Sequence, residues 1–149
     1  MREKKSAGAV IFIKNKEIKY LLLHYPSNSR TKKNYWGFSK GHIEKKEKEF
    51  DTVRREIKEE TGLERIRRIN GFKETIKYFF KDNGTIQKTV VFYLVQAKSK
   101  KIILSAEHIG YKWLNFQKAI RLLSFKNSKM ILKKADKFIK ENFFSGESL

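Results

Sequence analysis

One helical segment stands among strand-like segments, and this arrangement limits the fold more than any other feature of the sequence. The helical pattern spans Glu49–Thr61. Phe50, Val53 and Ile57 recur there at helical spacing, which predicts one face turned toward a core. Gly62 follows directly and predicts a left-handed cap at the end of the helix. Because patterns typical of strands lie on both sides, we expect an α/β (α+β) protein.

The remaining segments predict a mixed sheet covered by helices. Strands are predicted at Val10–Ile13, Tyr20–His24, Trp36–Phe38, Gly71–Phe80, Thr85–Ala97 and Tyr111–Leu114, and further helices at Asn115–Leu123 and Ser128–Asn142. A polar loop spans Pro26–Asn34, and the Asp82-Asn83-Gly84 turn makes a hairpin of the two longest strands. A chain of 149 residues is long enough for one core, so we expect a single domain, 1–149.

Three carboxylates share one face of the predicted helix, because Glu56, Glu59 and Glu60 lie three or four positions apart. Carboxylates this close repel one another unless a cation neutralises them, and Mg²⁺ prefers oxygen ligands. The chain has no cysteine, which excludes a thiolate metal site and a disulfide framework. The same pattern is also compatible with a solvated acidic patch paired with neighbouring lysines, namely Lys45, Lys46, Lys48 and Lys58.

The chain is strongly basic, with a formal net charge of +19. A field of that sign attracts nucleic acid, polyphosphates and acidic surfaces. Lysine is spread over the whole chain, however, so a compositional bias of the proteome explains the charge equally well. No run approaches the roughly 18 apolar residues of a membrane span, and the N-terminus lacks the pattern of a signal peptide. We therefore expect no membrane partner and a cytoplasmic location.

The acidic helix lies within a longer motif, Gly41–Leu63. This motif resembles the Nudix box at all nine of its defined positions, which are Gly41, Glu47, Arg55, Glu56, Ile57, Glu59, Glu60, Gly62 and Leu63. The resemblance implies a Nudix-type α/β/α sandwich with a mixed sheet, in which the box forms a loop–helix–loop catalytic motif. It also implies metal-dependent hydrolysis of a phosphoanhydride bond in a derivative of a nucleoside diphosphate.

The resemblance implies roles for individual residues as well. The implied ligands of Mg²⁺ or Mn²⁺ are one backbone carbonyl and three carboxylates, those of Lys40, Glu56, Glu59 and Glu60. Glu47 and Arg55 are expected to brace the loop of the box against its helix. The general base that activates water is left open among Glu59, Glu60 and Glu107.

A finer resemblance, over about Ser6 to Ile139, is to the asymmetrical diadenosine tetraphosphate hydrolases. Four short motifs carry it: Trp36 with Ser39-Lys40-Gly41-His42, Gly71-Phe72-Lys73 with Tyr78, Lys88–Leu94, and Glu107-His108 with Tyr111–Leu114. It implies that Lys40 and Lys88 contact phosphates, that Tyr78 stacks on adenine, and that His42 is a further substrate contact. Glu107 matches an additional glutamate that lies beside the metals in that family.

We therefore expect hydrolysis of diadenosine tetraphosphate to ATP and AMP. The alternatives are a pyrophosphohydrolase acting on the 5′-triphosphate of RNA, an enzyme that removes oxidised dGTP, and a non-catalytic nucleotide-binding module. Two departures from the family, Phe38-Ser39 in place of Pro-Pro and Lys45-Lys46 in place of Pro-Gly, leave the exact substrate open. Tyr78 and Trp113 also fit ordinary packing roles, and the number of ions and the choice between monomer and homodimer stay open.

Overall fold

The computed structural model describes residues 1–28 and 31–143. Within these residues the strands are β1 (Arg2–Lys14), β2 (Ile18–Tyr25), β3 (Tyr35–Gly37), β4 (Ser39–His42), β5 (Ile66–Lys81), β6 (Thr85–Ala97) and β7 (Gly110–Leu114). The helices are α1 (Glu49–Thr61), α2 (Phe116–Leu122) and α3 (Lys126–Phe143). Residues 29 and 30 of the predicted polar loop lie outside the described part of the chain.

All of these strands join one mixed sheet. The main path runs β3-β2-β1-β6-β5, with β4 paired to β1 and β7 paired to β2. β1 and β6 are parallel over Arg2–Phe12, and the other pairs are antiparallel. β1 is much longer than the predicted Val10–Ile13, because its polar first residues are held by hydrogen bonds to β6 that a hydrophobic pattern does not record.

The sheet forks between β1 and β2. The two strands pair only beside their hairpin, from Phe12↔Tyr20 to Lys14↔Ile18. Beyond this point β2 pairs with β3, whereas β1 pairs with β4. Phe38 is the single residue that joins β3 to β4, and it is 2% exposed. The chain therefore passes at Phe38 from the β2 side of the fork to the β1 side. β3 and β4 lie along the two diverging edges.

Helices cover both faces of the sheet. α1 packs against one face through Val53 and Ile57, with the partly buried Phe50 beside them, as its helical spacing predicts. α2 and α3 cover the other face, where the buried apolar side chains of α3 are Ile131, Leu132, Ala135 and Ile139. Gly62 caps α1 in the left-handed conformation, with φ of 75°, which confirms the predicted helix end.

Besides the early start of β1, one strand was missed and the starts of two other elements were predicted wrongly. β4 was not predicted, because its Ser-Lys-Gly-His sequence carries no strand signal and is held by pairing to β1. β5 begins at Ile66 rather than Gly71, with an irregularity in its register between Arg68 and Lys73. α3 begins at Lys126 rather than Ser128. No helix among the described residues is long and apolar enough to cross a membrane.

Candidate active site

Arg55 of α1 ties the loop before the helix to the helix itself. Its Nε donates to Glu47 Oε2 at 2.8 Å, and its Nη2 donates to Glu47 Oε1 and to the carbonyl of His42, both at 3.0 Å. The hydrogen bonds from Arg55 are the first cause that lowers the pKa of the Glu47 carboxyl to about 2. The geometry thus has Glu47 and Arg55 in the bracing arrangement that the motif implies.

Glu56 lies against the backbone of Gly41 on β4. A Cβ atom added to Gly41 would stand 2.1 Å from both Cδ and Oε1 of Glu56, so no larger residue fits there without moving the carboxylate. The pKa of the Glu56 carboxyl is raised to about 7, first by burial and then by the negative charge of Glu60. Arg55, whose Nη1 donates to Glu56 Oε1 at 2.8 Å, lowers it only in part.

Glu60 is buried, and one oxygen of its carboxylate is held by two donors. Its Oε1 accepts hydrogen bonds from Ser39 Oγ at 2.6 Å and from the backbone N–H of Lys40 at 3.1 Å. Its Oε2 lies 3.2 Å from His108 Nε2, in an alignment too poor for a hydrogen bond. Because two donors occupy the lone pairs of Oε1, only Oε2 has acceptor capacity left for a further partner.

Glu59 and Glu107 are the two exposed carboxylates among the predicted residues. Glu59 is 59% exposed, and its Oε2 lies 3.4 Å from Arg55 Nη1. Glu107 lies in the turn before β7, where its backbone N–H donates to Ser105 Oγ at 3.3 Å. The charge of Glu107 is close enough to contribute to the raised pKa of Tyr25, which the charges of Glu60 and Glu56 also raise. The turn that carries Glu107 therefore lies near the same tyrosine as Glu56 and Glu60 of α1.

The carboxylates fit a divalent cation by their chemistry, although they are not folded around one. Among the described residues, no three His, Cys, Asp or Glu side chains are arranged to hold a metal ion as they stand. Arg55 forms ion pairs with Glu56 and Glu59. Burial first, and then the charge of Glu60, raises the pKa of Glu56 despite the hydrogen bond from Arg55. Additional positive charge would restore the ionised form, which is the condition that oxygen-bound Mg²⁺ meets.

A cavity of about 310 Å³ opens beside these carboxylates. Its walls are mostly aromatic and apolar, and they include Tyr25, Tyr35, Phe38, Ile76, Tyr78, Phe80, Phe92 and Phe125, with Lys40 among the few polar residues. Tyr25 and Tyr35 are stacked with ring centroids 4.8 Å apart. A flat aromatic group fits such walls by stacking, so the cavity suits a nucleobase better than a flexible polar chain.

Tyr25 joins the cavity to the carboxylates, a role that was not predicted from the sequence. Its hydroxyl donates to the carbonyl of Phe38 at 2.5 Å, which fastens the end of β2 across the fork. Its ring meets the His108 ring edge to face, with centroids 4.6 Å apart. Burial is the first cause that holds its pKa well above the usual value, followed by the charge of Glu60. An aromatic hydroxyl that ends a buried strand directly before Pro26 is the only sequence signal that points to it.

The residue predicted to stack on adenine and one of the predicted phosphate contacts lie on neighbouring strands. Tyr78 on β5 is opposite Lys88 on β6, and Lys88 is 7% exposed. Lys88 Nζ lies 3.4 Å from Nδ1 of His42, which is also 3.4 Å from Ser6 Oγ. Lysine is rarely buried in this way unless it is paired. Of the predicted substrate contacts, Tyr78 and Lys40 line the cavity, whereas Lys88 and His42 are not among its lining residues.

These features fit a class of protein: an enzyme with an aromatic cavity beside a helix of carboxylates, on a mixed sheet covered by helices. The chain belongs to the NUDIX domain family, whose model matches residues 3–135. The predicted family and the α/β sandwich are thereby confirmed, and the chain is a Nudix hydrolase. Nudix hydrolases generally require a divalent metal ion.

Several relatives are similar over most of the chain. The asymmetrical bis(5′-nucleosyl)-tetraphosphatase of Mus musculus is 31% identical over 146 residues, covering 91% of this chain and 95% of that protein. The crystal structure of a C. elegans Ap4A hydrolase binary complex has a TM-score of 0.79 at 29% identity, covering 93% of this chain and 98% of that one. The E. coli dihydroneopterin triphosphate pyrophosphohydrolase, at 19% identity and a TM-score of 0.72 over 90% of this chain and 97% of that one, shares the fold alone.

Proposed function

We propose that this Nudix hydrolase cleaves diadenosine tetraphosphate to ATP and AMP. One observation of the structure carries the proposal: the aromatic cavity and the carboxylate helix share the fork of the sheet, with Tyr25 close to both. A substrate held by one adenine in the cavity would therefore extend its phosphates toward Glu56 and Glu60. The identity to the tetraphosphatase of Mus musculus supports the same substrate.

The side chains of the cavity position the substrate. Tyr78 and the Tyr25–Tyr35 pair offer faces on which adenine can stack. Lys40 lines the cavity and its backbone N–H donates to Glu60, so its ammonium group can contact the first phosphates between the two. Lys88, held close to His42, supplies positive charge for the phosphate chain. Binding of the nucleoside at one end then sets which phosphorus lies beside the carboxylates.

The carboxylates of α1 hold the reacting end of the chain. We infer that Glu56, Glu60, Glu59 and the carbonyl of Lys40 bind Mg²⁺ or Mn²⁺. When bound, the ion neutralises phosphate charge and lowers the pKa of a bound water. Oε2 of Glu60 is the oxygen available for it, because Oε1 is already occupied by Ser39 and Lys40.

Water forms a bond to the phosphorus four phosphates from the held nucleoside, and the bond from that phosphorus to the bridging oxygen breaks. AMP then carries the new oxygen, and ATP leaves. We favour Glu59 or Glu107 as the general base. Both are exposed and can pass the proton to solvent, whereas Glu60 is buried and engaged.

Turnover with and without metal tests this proposal. Purified protein should hydrolyse diadenosine tetraphosphate with Mg²⁺ and stop when EDTA is added. Glu60→Gln should lower kcat by several orders of magnitude while thermal unfolding stays close to that of the wild type. Glu141→Gln, which removes a carboxylate from the exposed side of α3, is the matched control and should leave kcat unchanged. Wild-type rates in EDTA, or only a mild loss in Glu60→Gln, would refute the assignment.

A second candidate substrate is RNA with a 5′-triphosphate, which the net charge of +19 favours. Comparing kcat/KM for the dinucleotide and for triphosphorylated RNA at two salt concentrations separates the two. A higher kcat/KM for the RNA at physiological salt would identify RNA, and not the dinucleotide, as the preferred substrate. A single domain of 149 residues and a cytoplasmic location stay predictions.

A further inference from the structure

The edge strand β5 carries two different faces. Its side chains at Ile76, Tyr78 and Phe80 turn toward the cavity, and all three are partly buried. The alternate residues turn to the opposite side of the sheet, and all of them are exposed: Lys73, Thr75, Lys77, Phe79 and Lys81. Strand geometry sends successive side chains to opposite faces, so the outer half of β5 presents three lysines and one aromatic ring in a single row.

This row continues across two neighbouring strands. On β6 the residues in register with it are Thr85, Gln87 and Thr89, and on β1 they are Glu3 and Lys5. We call the surface formed by Glu3, Lys5, Lys73, Thr75, Lys77, Phe79, Lys81, Thr85, Gln87 and Thr89 the lysine platform. α1 covers the adjoining part of this face, and it begins at the edge of the platform, where Glu49 pairs with Lys5 at 2.7 Å and with Lys73 at 3.2 Å.

The platform has more positive charge than its surroundings neutralise. It carries four lysines and one glutamate, and Glu49 pairs with the two lysines nearest α1. No ion pair joins Lys77 or Lys81 to an acidic residue within the described part of the chain. Phe79 lies between these two lysines along the strand and is 61% exposed. A ring of this size is normally withdrawn from water.

We propose that the lysine platform binds single-stranded RNA. Lysines that follow a strand attract the phosphate backbone, and an exposed ring among them offers a surface on which one base can stack. The threonines and Gln87 on β6 supply hydroxyl and amide groups that can bond to ribose 2′-hydroxyls. An acidic membrane surface fits less well, because Phe79 is the only large apolar side chain that the platform exposes.

The platform is distinct from the site of hydrolysis. Its side chains leave the sheet on the side opposite to Tyr78 and Lys88, and none of them lines the cavity. Binding of RNA there needs no 5′-triphosphate and no divalent metal. The proposal therefore stands or falls separately from the hydrolysis of a dinucleotide.

The test uses a fluorescently labelled, unstructured RNA of about ten nucleotides with a 5′-hydroxyl, and its Kd is measured by anisotropy at several salt concentrations. Lys77→Gln combined with Lys81→Gln should weaken binding. It should also reduce the slope of log association constant against log salt concentration by about 1.4, which is about 0.7 for each phosphate that is no longer neutralised. Lys118→Gln combined with Lys133→Gln is the matched control. It removes the same charge from α2 and α3, on the other face of the sheet.

Phe79 provides an independent arm. Phe79→Ser should weaken binding about tenfold or more, because it removes stacking while it keeps the charge. Phe79→Trp should bind at least as tightly as the wild type, because it keeps an aromatic ring. Ile103→Ser is the control for the loss of exposed apolar surface, because Ile103 is 67% exposed and lies outside the lysine platform. All of these variants should hydrolyse diadenosine tetraphosphate at the wild-type rate.

Equal losses of affinity in the two double lysine variants would mean that net charge alone binds RNA, and they would overturn the proposal. An unchanged Kd in Phe79→Ser would do the same. DNA of the same sequence should bind more weakly, and equal affinity would overturn the assignment to RNA. If dinucleotide hydrolysis is absent while the platform variants lose RNA binding, the proposed substrate fails and this inference stands.

Discussion

Gly41→Ala tests whether the position of the Glu56 carboxylate controls activity, because it should move this carboxylate while the fold stays stable. The Cβ atom of an alanine at this position would stand 2.1 Å from Cδ and Oε1 of Glu56 and 2.6 Å from its Cγ. These atoms form the end of a flexible side chain, so the carboxylate can turn away while β4 keeps its pairing to β1. Glu56 would then lose the position that the glycine permits.

The size of the effect follows from the overlap. Non-bonded carbon atoms approach to about 3.5 Å, so the Glu56 carboxylate must move by about 1.4 Å. A displacement of about 1 Å at a reacting centre costs roughly 10²-fold in rate, equal to about 2.7 kcal/mol of activation free energy. We therefore expect kcat on diadenosine tetraphosphate to fall at least about 100-fold. The melting temperature should fall by no more than about 2 to 4 °C, as for a change near 1 kcal/mol.

The assay is steady-state hydrolysis with Mg²⁺, together with thermal unfolding of the same preparations. Gly110→Ala is the matched control, because its Cβ would have His24 atoms no closer than 3.7 Å. It should keep wild-type activity. Wild-type kcat in Gly41→Ala would refute the reasoning, since it would mean that Glu56 need not lie where the structure has it. Unfolding at ambient temperature would refute the separation of site from fold.

Three further predictions concern stability and metal binding. Gly8→Ala should lower the free energy of unfolding by about 1 to 3 kcal/mol, because its Cβ would stand 2.5 Å from the rigid carbonyl oxygen of Ser39; urea unfolding that matches the wild type would contradict this. Glu49→Gln should cost about 1 to 2 kcal/mol at pH 7 after allowance for solvent screening. Two lysines and a tyrosine hydroxyl lower the pKa of Glu49 to about 2, so this stability is present above about pH 4.5 and is lost as the pH falls toward 2. The difference from wild type should therefore shrink over that range, and a constant difference would argue against the ion pairs. His108→Leu should weaken Mn²⁺ binding, followed by electron paramagnetic resonance, about tenfold because Glu60 loses its neighbour at Oε2, and His108→Gln should recover part of the affinity; equal affinities would show that the histidine only fills space.

The sequence predicts the reaction class better than it predicts the site. Glu56, Glu59 and Glu60 are adjacent along one helix, so their spacing alone places them on one face. Glu47 and Arg55 follow from the same motif, because a loop and the helix after it are close in the chain. Local order of this kind can be deduced from a sequence without knowledge of the sheet.

The partners of these residues come from distant parts of the chain. Ser39 lies beside Glu60 because β4 pairs with β1, and β4 has no strand signal of its own. Tyr25, at the end of β2, is close enough for the charges of Glu60 and Glu56 to raise its pKa, although it is far from them in the chain. Lys88 is buried because β6 lies between β1 and β5 in the sheet. In the sequence it cannot be told apart from the many exposed lysines. Contacts of this kind depend on long-range pairing, and no spacing rule records them.

Hydrolysis of diadenosine tetraphosphate in water enriched with ¹⁸O, with Mg²⁺ and mass analysis of the separated products, is the most direct test of the proposed activity. The proposal predicts equal amounts of ATP and AMP, with one labelled oxygen in AMP and none in ATP. Two molecules of ADP from each substrate, label in ATP instead of AMP, or no turnover at all would contradict it.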